Sequence, residues 1–115
     1  MKVIIAGGRD FNRYDLLKHK CDKIFTKVKD LEIVSGGAKG ADKLGELYAL
    51  ENNVKVTIFK ADWNMHGKSA GILRNKDMGD YADALIAFWD GKSPGTKHMI
   101  DYMKKLNKPT RIVYY

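Results

Sequence analysis

Residues Ile33 to Ala49 read IVSGGAKGADKLGELYA, and the fold turns on how this stretch is parsed. Ile33, Val34 and Ser35 close a short apolar run that starts at Leu31, while Leu44, Leu47 and Tyr48 recur at helical spacing. A strand therefore passes through a glycine loop into a helix.

The same alternation extends in both directions. Lys2–Ala6 (KVIIA), Leu31–Ser35 (LEIVS), Val54–Phe59 (VKVTIF), Ala84–Trp89 (ALIAFW) and Arg111–Tyr115 (RIVYY) are short, apolar and rich in β-branched or aromatic residues, as strands are. Tyr14, Leu17, Cys21, Ile24 and Val28 fall on one helical stripe, and Met99, Ile100, Met103 and Leu106 on another. Pro109 stops the latter helix just before the last strand. Strands alternating with helices predict right-handed βαβ units. The expected class is α/β, a Rossmann-like three-layer sandwich around a mainly parallel five-stranded sheet. The 115 residues suit one domain spanning 1–115, with no internal repeat, linker or low-complexity tract. Ala61 to Met78 reads as the longest polar connection.

Composition narrows the partners. Twenty-one Lys and Arg against fourteen Asp and Glu leave a formal charge of +7, which favours an anionic partner or serves solubility alone. Cys21 is the only cysteine, which excludes an intramolecular disulfide and a thiolate metal cage; its place on the helical stripe makes it a core filler. No apolar run approaches the roughly 20 residues that span a bilayer, and the N-terminus lacks a signal-peptide h-region. The expectation is a cytoplasmic protein without a membrane partner, in the host cytoplasm if a virus encodes it. His19, His66 and His98 share no metal-ligand spacing, so no metal is expected. GKS occurs at Gly67–Ser69 and Gly91–Ser93, but Asp62 and Ile86 stand where a phosphate-binding P-loop needs its first glycine. The glycines also depart from G-x-G-x-x-G, and no G-x-S-x-G elbow marks Ser35, Ser69 or Ser93 as a nucleophile.

In sheets of this kind a ligand lies beyond the carboxyl ends of the strands, where strand order reverses. AGGRDF (Ala6–Phe11), SGGAKGAD (Ser35–Asp42) and WDGKSPGT (Trp89–Thr96) follow the first, second and fourth strands. A glycine loop entering a helix exposes backbone amides at the positive end of the helix dipole, where phosphate or ribose can approach closely. Lys39 adds a mobile charge beside Gly36, Gly37 and Gly40, and Asp42 either accepts from a ribose hydroxyl or caps its helix. Tight turns alone also use glycine; the doubled pairs Gly7-Gly8 and Gly36-Gly37 favour a ligand. Trp63, His66, Lys68, Arg74 and Asn75 lie close together in the polar connection. An aromatic ring beside cations suits a stacked base with its phosphate, or else Trp63 covers the sheet edge while Arg74 and Asn75 sit on a solvated helix face. Met78, Trp89, Tyr114 and Tyr115 fit core packing or an oligomer surface, with the final strand as a pairing edge.

Four stretches carry a family resemblance: IIAGGRDF (Ile4–Phe11), VSGGAKGAD (Val34–Asp42), HGKSAGILRNKDM (His66–Met78) and ALIAFWDGKSPGT (Ala84–Thr96). In this order they resemble the SLOG superfamily, the Rossmann-like group that includes DprA and the LOG phosphoribohydrolases, and within it the YspA-like branch. The resemblance implies a site for nucleotides or nucleotide derivatives built from the three glycine loops. The leading reading of the residues sets Arg9, Lys39 and Arg74 at phosphates beside the backbone amides of Gly8, Gly37, Gly95 and Thr96, with Asp42 or Asp90 at ribose hydroxyls. Gly7, Asp10, Ser35, Gly36, Gly40, Trp63, Lys68 and Asn75 complete the expected ligand-binding set. LOG enzymes carry GGxGTxxE, whose Glu takes part in cleaving the N-glycosidic bond. Here Gly95 and Thr96 are kept, Met99 stands in place of that Glu, and Asp90, Asp10 and Asp42 are the carboxylates left as catalytic candidates. Three functions stay open: a nucleotide-binding or sensing domain, an N-glycosidic hydrolase, and single-stranded nucleic-acid binding as in DprA. No cofactor beyond a nucleotide-like ligand is called for, and a homo-oligomer is expected.

Overall fold

The computed structural model describes residues 1–115. Strands β1 (Lys2–Gly7), β2 (Glu32–Ser35), β3 (Lys55–Ile58), β4 (Ala84–Trp89) and β5 (Thr110–Tyr114) form one sheet in the order β3-β2-β1-β4-β5. Every neighbouring pair is parallel, so the sheet is wholly parallel. Helices α1 (Tyr14–Phe25) and α2 (Ala41–Glu51) form one layer, and α4 (Ala70–Tyr81) and α5 (Pro94–Lys105) the other. A single-turn α3 (Trp63–His66) and a 3₁₀ turn (Gly67–Ser69) lead into α4.

Burial explains the strand sequences. β1 and β4 lie in the middle of the sheet, covered on both faces, and read as near-continuous apolar runs. Side chains alternate faces along each strand. Val3, Ile5, Ile33 and Ile86 pack with Leu17, Cys21, Phe25 and Tyr48 of the first layer. Ile4, Ala6, Val34, Leu85 and Ala87 pack with Met78, Met99, Ile100 and Met103 of the second. The edge strands carry Lys55 and Thr57 on β3, and Thr110 and Arg111 on β5, which discourages sheet extension. Cys21 is fully buried, and burial pushes its thiol up to about 12, as a core filler requires.

The stretch read as a polar connection is largely helical. Periodicity did not reveal α4, because its inward face is built from Ala70, Asn75, Met78 and Gly79 while Ile72 and Leu73 face outward, exposed. Small inward residues let the helix lie close to its neighbours. A Cβ at Gly79 would come within 2.6 Å of the Tyr102 ring of α5. The α4 C-terminus is capped from a distance: the Lys108 ammonium donates to the carbonyls of Gly79 (2.7 Å), Asp80 (3.3 Å) and Ala82 (2.8 Å). A cation there satisfies orphan carbonyls at the negative end of the helix dipole.

The two C-terminal tyrosines do different work. Tyr114 is 64% exposed and lies against the Trp89 ring, with centroids 5.8 Å apart. Tyr115 packs edge-on to Phe11 and donates its hydroxyl to Asp10 at 2.7 Å, so it braces the loop after β1. No helix is long and apolar enough to cross a membrane.

Lys108→Met removes three hydrogen bonds from a charged donor, each kind worth about 1.5–3 kcal/mol singly and less when shared. The variant should show a lower urea midpoint with an unchanged slope; an unchanged midpoint would contradict the capping role.

Candidate functional site at the strand tips

Strand order reverses between β1 and β4, and a hollow of about 300 Å³ opens there. Its wall takes Gly7 and Arg9 from the first loop, Asp42 from the start of α2, Trp63 from α3, Arg74 and Asn75 from α4, and Gly95 and Thr96 from the start of α5. Lys68 also borders it.

The glycines of the first two loops answer to packing between the loops. The Gly8 amide donates to the Phe88 carbonyl (3.1 Å), and the Gly8 carbonyl accepts from Ala41 (3.2 Å). Gly40, at φ +79°, passes so close that a Cβ would sit 2.2 Å from the Gly8 carbonyl oxygen; a Cβ on Gly8 would sit 1.9 Å from the Tyr115 hydroxyl. The Gly37 amide donates to Ser35 Oγ (3.1 Å) and the Ala38 amide to Asp42 Oδ2 (3.3 Å). The expectation that Gly8 and Gly37 present free amides to an anion is therefore corrected: the protein itself takes those donors. The amides of Arg9 and Lys39, one or two residues further on, donate to no protein atom. At α5 the first amide to find a carbonyl is that of Lys97, bonded to Ser93 (3.1 Å). Pro94 has no N–H, so Gly95 and Thr96 are left as donors at the positive end of the helix.

A buried polar network holds the walls together. Arg74 Nη1 donates to the Gly36 carbonyl (2.7 Å) and Arg74 Nε to Asn75 Oδ1 (3.2 Å). A guanidinium only donates, so the oxygen of the Asn75 amide must face it. Asn75 Nδ2 is then the donor to the Gly95 carbonyl (3.2 Å) and to His98 Nδ1 (3.2 Å). His98 accepts at Nδ1 and, when neutral, carries its proton on Nε2; burial, then the charge of Lys76, lowers its pKa from the ordinary histidine value. Asn75 is 6% exposed, which rules out the solvated-face alternative for this residue. Burial likewise lowers the Arg74 pKa, against the opposing pull of Asp42, yet a guanidinium stays charged at neutral pH.

The three candidate carboxylates separate clearly. Asp42 is 5% exposed, and burial pushes its pKa up to about 6 despite the Ala38 amide and the nearby charge of Arg74. Asp10 is held by the Tyr115 hydroxyl and Asp90 by the amides of Lys92 and Ser93, both at 2.8 Å. The two amides at Asp90, Ser93 first, hold its pKa low. Neither Asp10 nor Asp90 lines the hollow; Asp42 is its only carboxylate. Ser35 is buried and donates to Glu46 (2.6 Å), so it supports the loop from behind. Lys39 lies outside the main hollow, on a shallower one beside it together with Gly36 and Gly37. Trp63 is 52% exposed at the mouth of both.

Sequence reasoning missed His98, Lys60 and Ile72 as wall residues. Lys60 follows the tip of β3 and was open to the strand-tip rule; His98 shows itself only through Asn75. Met99, standing at the position of the LOG glutamate, does border the hollow but is 1% exposed and packs into the core.

A sequence profile of the YspA, cpYpsA-related SLOG family matches residues 1–66. The chain belongs to that family. The gene 61 protein of Mycobacterium phage D29 is 35% identical over 115 aligned residues, covering 94% of this chain and 92% of the phage protein. Among solved structures, this SLOG chain superposes on DNA processing protein A (DprA) from Helicobacter pylori, described for its single-stranded DNA binding mode, with a TM-score of 0.75 at 22% identity. It superposes on DprA from Streptococcus pneumoniae with a TM-score of 0.75 at 17% identity. It covers 97% and 96% of itself in these matches but only 64% and 49% of the two DprA chains, so the likeness is one of fold.

The raised pKa of Asp42 fixes a sign. Between the ordinary carboxylate value and about 6, the folded state holds a proton that the unfolded state has released, so this group's contribution to stability falls as pH rises through that window. Asp42→Asn removes the term. Its stability relative to the parent should increase from pH 4 to pH 6.5 and then level off in urea titrations; a difference independent of pH would show that Asp42 titrates normally.

Proposed function

We propose that the hollow at the β1/β4 switch point binds a nucleotide or nucleotide derivative, and that the domain acts as a binding or sensing module for such a ligand. The observation that carries this reading is the composition of one wall. Arg9, Lys68 and Arg74 supply positive charge, Gly95 and Thr96 supply amides at a helix start, and Trp63 offers an exposed ring beside them. Asp42 adds an oriented polar group of the kind that gives a site its specificity, and Asn75, whose amide is spent on Arg74, Gly95 and His98, holds the wall in place. A volume of about 300 Å³ suits a mononucleotide-sized fragment. The excess of 21 basic over 14 acidic residues draws anions toward it.

Asp42 favours a second reading, hydrolysis of the base–ribose bond. A carboxyl poised near pH 6 inside the hollow can hand a proton to a departing base, although the glutamate that LOG enzymes use is Met99 here. The fold shared with DprA favours a third, single-stranded nucleic-acid binding along the basic rim, which would weaken steeply as salt rises.

Adenosine monophosphate (AMP) tests the leading reading. It should raise the melting temperature in a concentration-dependent way and be recovered intact by chromatography. Arg9→Ala, at an exposed position, should weaken AMP binding about ten-fold, the equivalent of one charge-assisted hydrogen bond, without changing the melting temperature of the free protein. Release of adenine that Asp42→Asn abolishes would establish the hydrolase instead; absence of any shift with adenine, guanine, cytosine and uracil nucleotides would remove the proposal.

A further inference from the structure

Beside the main hollow lies a second, shallower one of about 390 Å³, at the tips of β2 and β3. The two share Arg9, Ala38, Trp63 and Arg74, so they are halves of one trough with a common partition. The outer half differs from the inner in charge. Its wall holds Arg9, Lys39, Lys60 and Arg74 and no carboxylate.

None of these four cations forms an ion pair within the chain; Asp42 lies near Arg74, and no acid faces Arg9, Lys39 or Lys60 in the outer hollow. The ion pairs of the molecule engage Lys18, Lys43, Lys55 and Lys97, each with an acid on a neighbouring turn or strand. Lys60, by contrast, lays its stem along Gly37, whose added Cβ would lie 3.9 Å from Lys60 Cγ, and reaches no acid. Four like charges gathered on one concave wall repel one another, and an anion in the trough would relieve that repulsion.

Arg74 gives the trough its geometry. Of its five N–H groups, Nε is committed to Asn75 and one on Nη1 to Gly36. The remaining three belong to a guanidinium fixed in place on the partition. A planar, pre-oriented donor with spare hydrogens suits a phosphate that joins two parts of one ligand.

We infer that the outer hollow is a second phosphate subsite, so that the ligand class is a nucleotide carrying a second phosphoryl group, with Lys60 and Lys39 gripping the phosphate that leaves the inner hollow. This rests on the inner hollow being the nucleotide site. The shared chemistry is two phosphates on one ligand, either adjacent as in a nucleoside diphosphate or separated by a ribose as in a 5′-phosphorylated dinucleotide.

Calorimetric titration at fixed ionic strength with AMP, ADP and the dinucleotide pApA separates these cases. At least one of ADP and pApA should bind ten-fold or more tightly than AMP, and which one does reports the spacing of the two phosphates. Lys60→Glu should bring the ratio of ADP or pApA affinity to AMP affinity close to one, whereas Lys104→Ala with Lys105→Ala, which removes two charges from the far end of α5, should leave that ratio intact. Equal affinity for all three ligands, or a gain that survives in Lys60→Glu or disappears in the α5 control, would overturn the second subsite while leaving the nucleotide site standing. Failure of all three to bind would overturn both.

Discussion

Half-buried Arg74 and its buried neighbour Asn75 carry the arrangement of the strand tips. From one turn of α4, the guanidinium reaches the carbonyl of Gly36 and the amide reaches the carbonyl of Gly95 and the ring of His98. The loop after β2 and the start of α5 are thereby tied to the same helix. Polar groups this deep are costly to leave without partners, so each bond constrains the others. Small inward residues bring the helix close to its neighbours, with Gly79 against Tyr102 of α5, and Lys108 caps its end.

This constraint shifts the chemistry from backbone to side chains. Glycines in the first two loops let two chain segments cross, as the contact between Gly40 and the Gly8 carbonyl shows, and several loop amides are donated within the protein. What remains for an anion is a set of cations on a rigid frame, with free amides at Arg9, Lys39 and the start of α5. Rigidity matters because a guanidinium already locked by two hydrogen bonds loses little further freedom when a ligand arrives. The buried Asp42 beside it keeps a titratable carboxyl in an otherwise basic hollow.

Much of the fold was legible because the central strands are apolar on both faces and the edge strands are not. KVIIA and ALIAFW read as buried strands, and the stripe of Tyr14, Leu17, Cys21, Ile24 and Val28 reads as a helix packed on a sheet. Helix α4 was illegible for a physical reason: its buried face is recruited for close approach and hydrogen bonding, so hydrophobic periodicity fades. Of the residues expected at a ligand site, Gly7, Arg9, Asp42, Trp63, Lys68, Arg74, Asn75, Gly95 and Thr96 are brought by the fold to one hollow at the expected strand tips, so the candidate site was legible in its location. It was not legible in Asp10, whose carboxylate is engaged by Tyr115 from the far end of the chain, nor in Asp90, whose carboxylate turns back on the amides of Lys92 and Ser93 in its own loop. Nor was His98, which the fold brings to the wall of the hollow and into contact with Asn75.

On the reading proposed above, Arg74 and Asn75 of α4 hold in one frame the ligand-binding surface made by Arg9, Trp63, Lys68, Arg74 and the amides that open α5. Amide chemical-shift mapping in a titration with AMP tests it most directly, because each backbone N–H reports its own surroundings. The account predicts that the largest shifts fall together on Arg9, Arg74, Asn75, Gly95, Thr96 and His98, while the strand cores stay still. Shifts scattered over the surface, or concentrated away from the β1/β4 switch point, would contradict it.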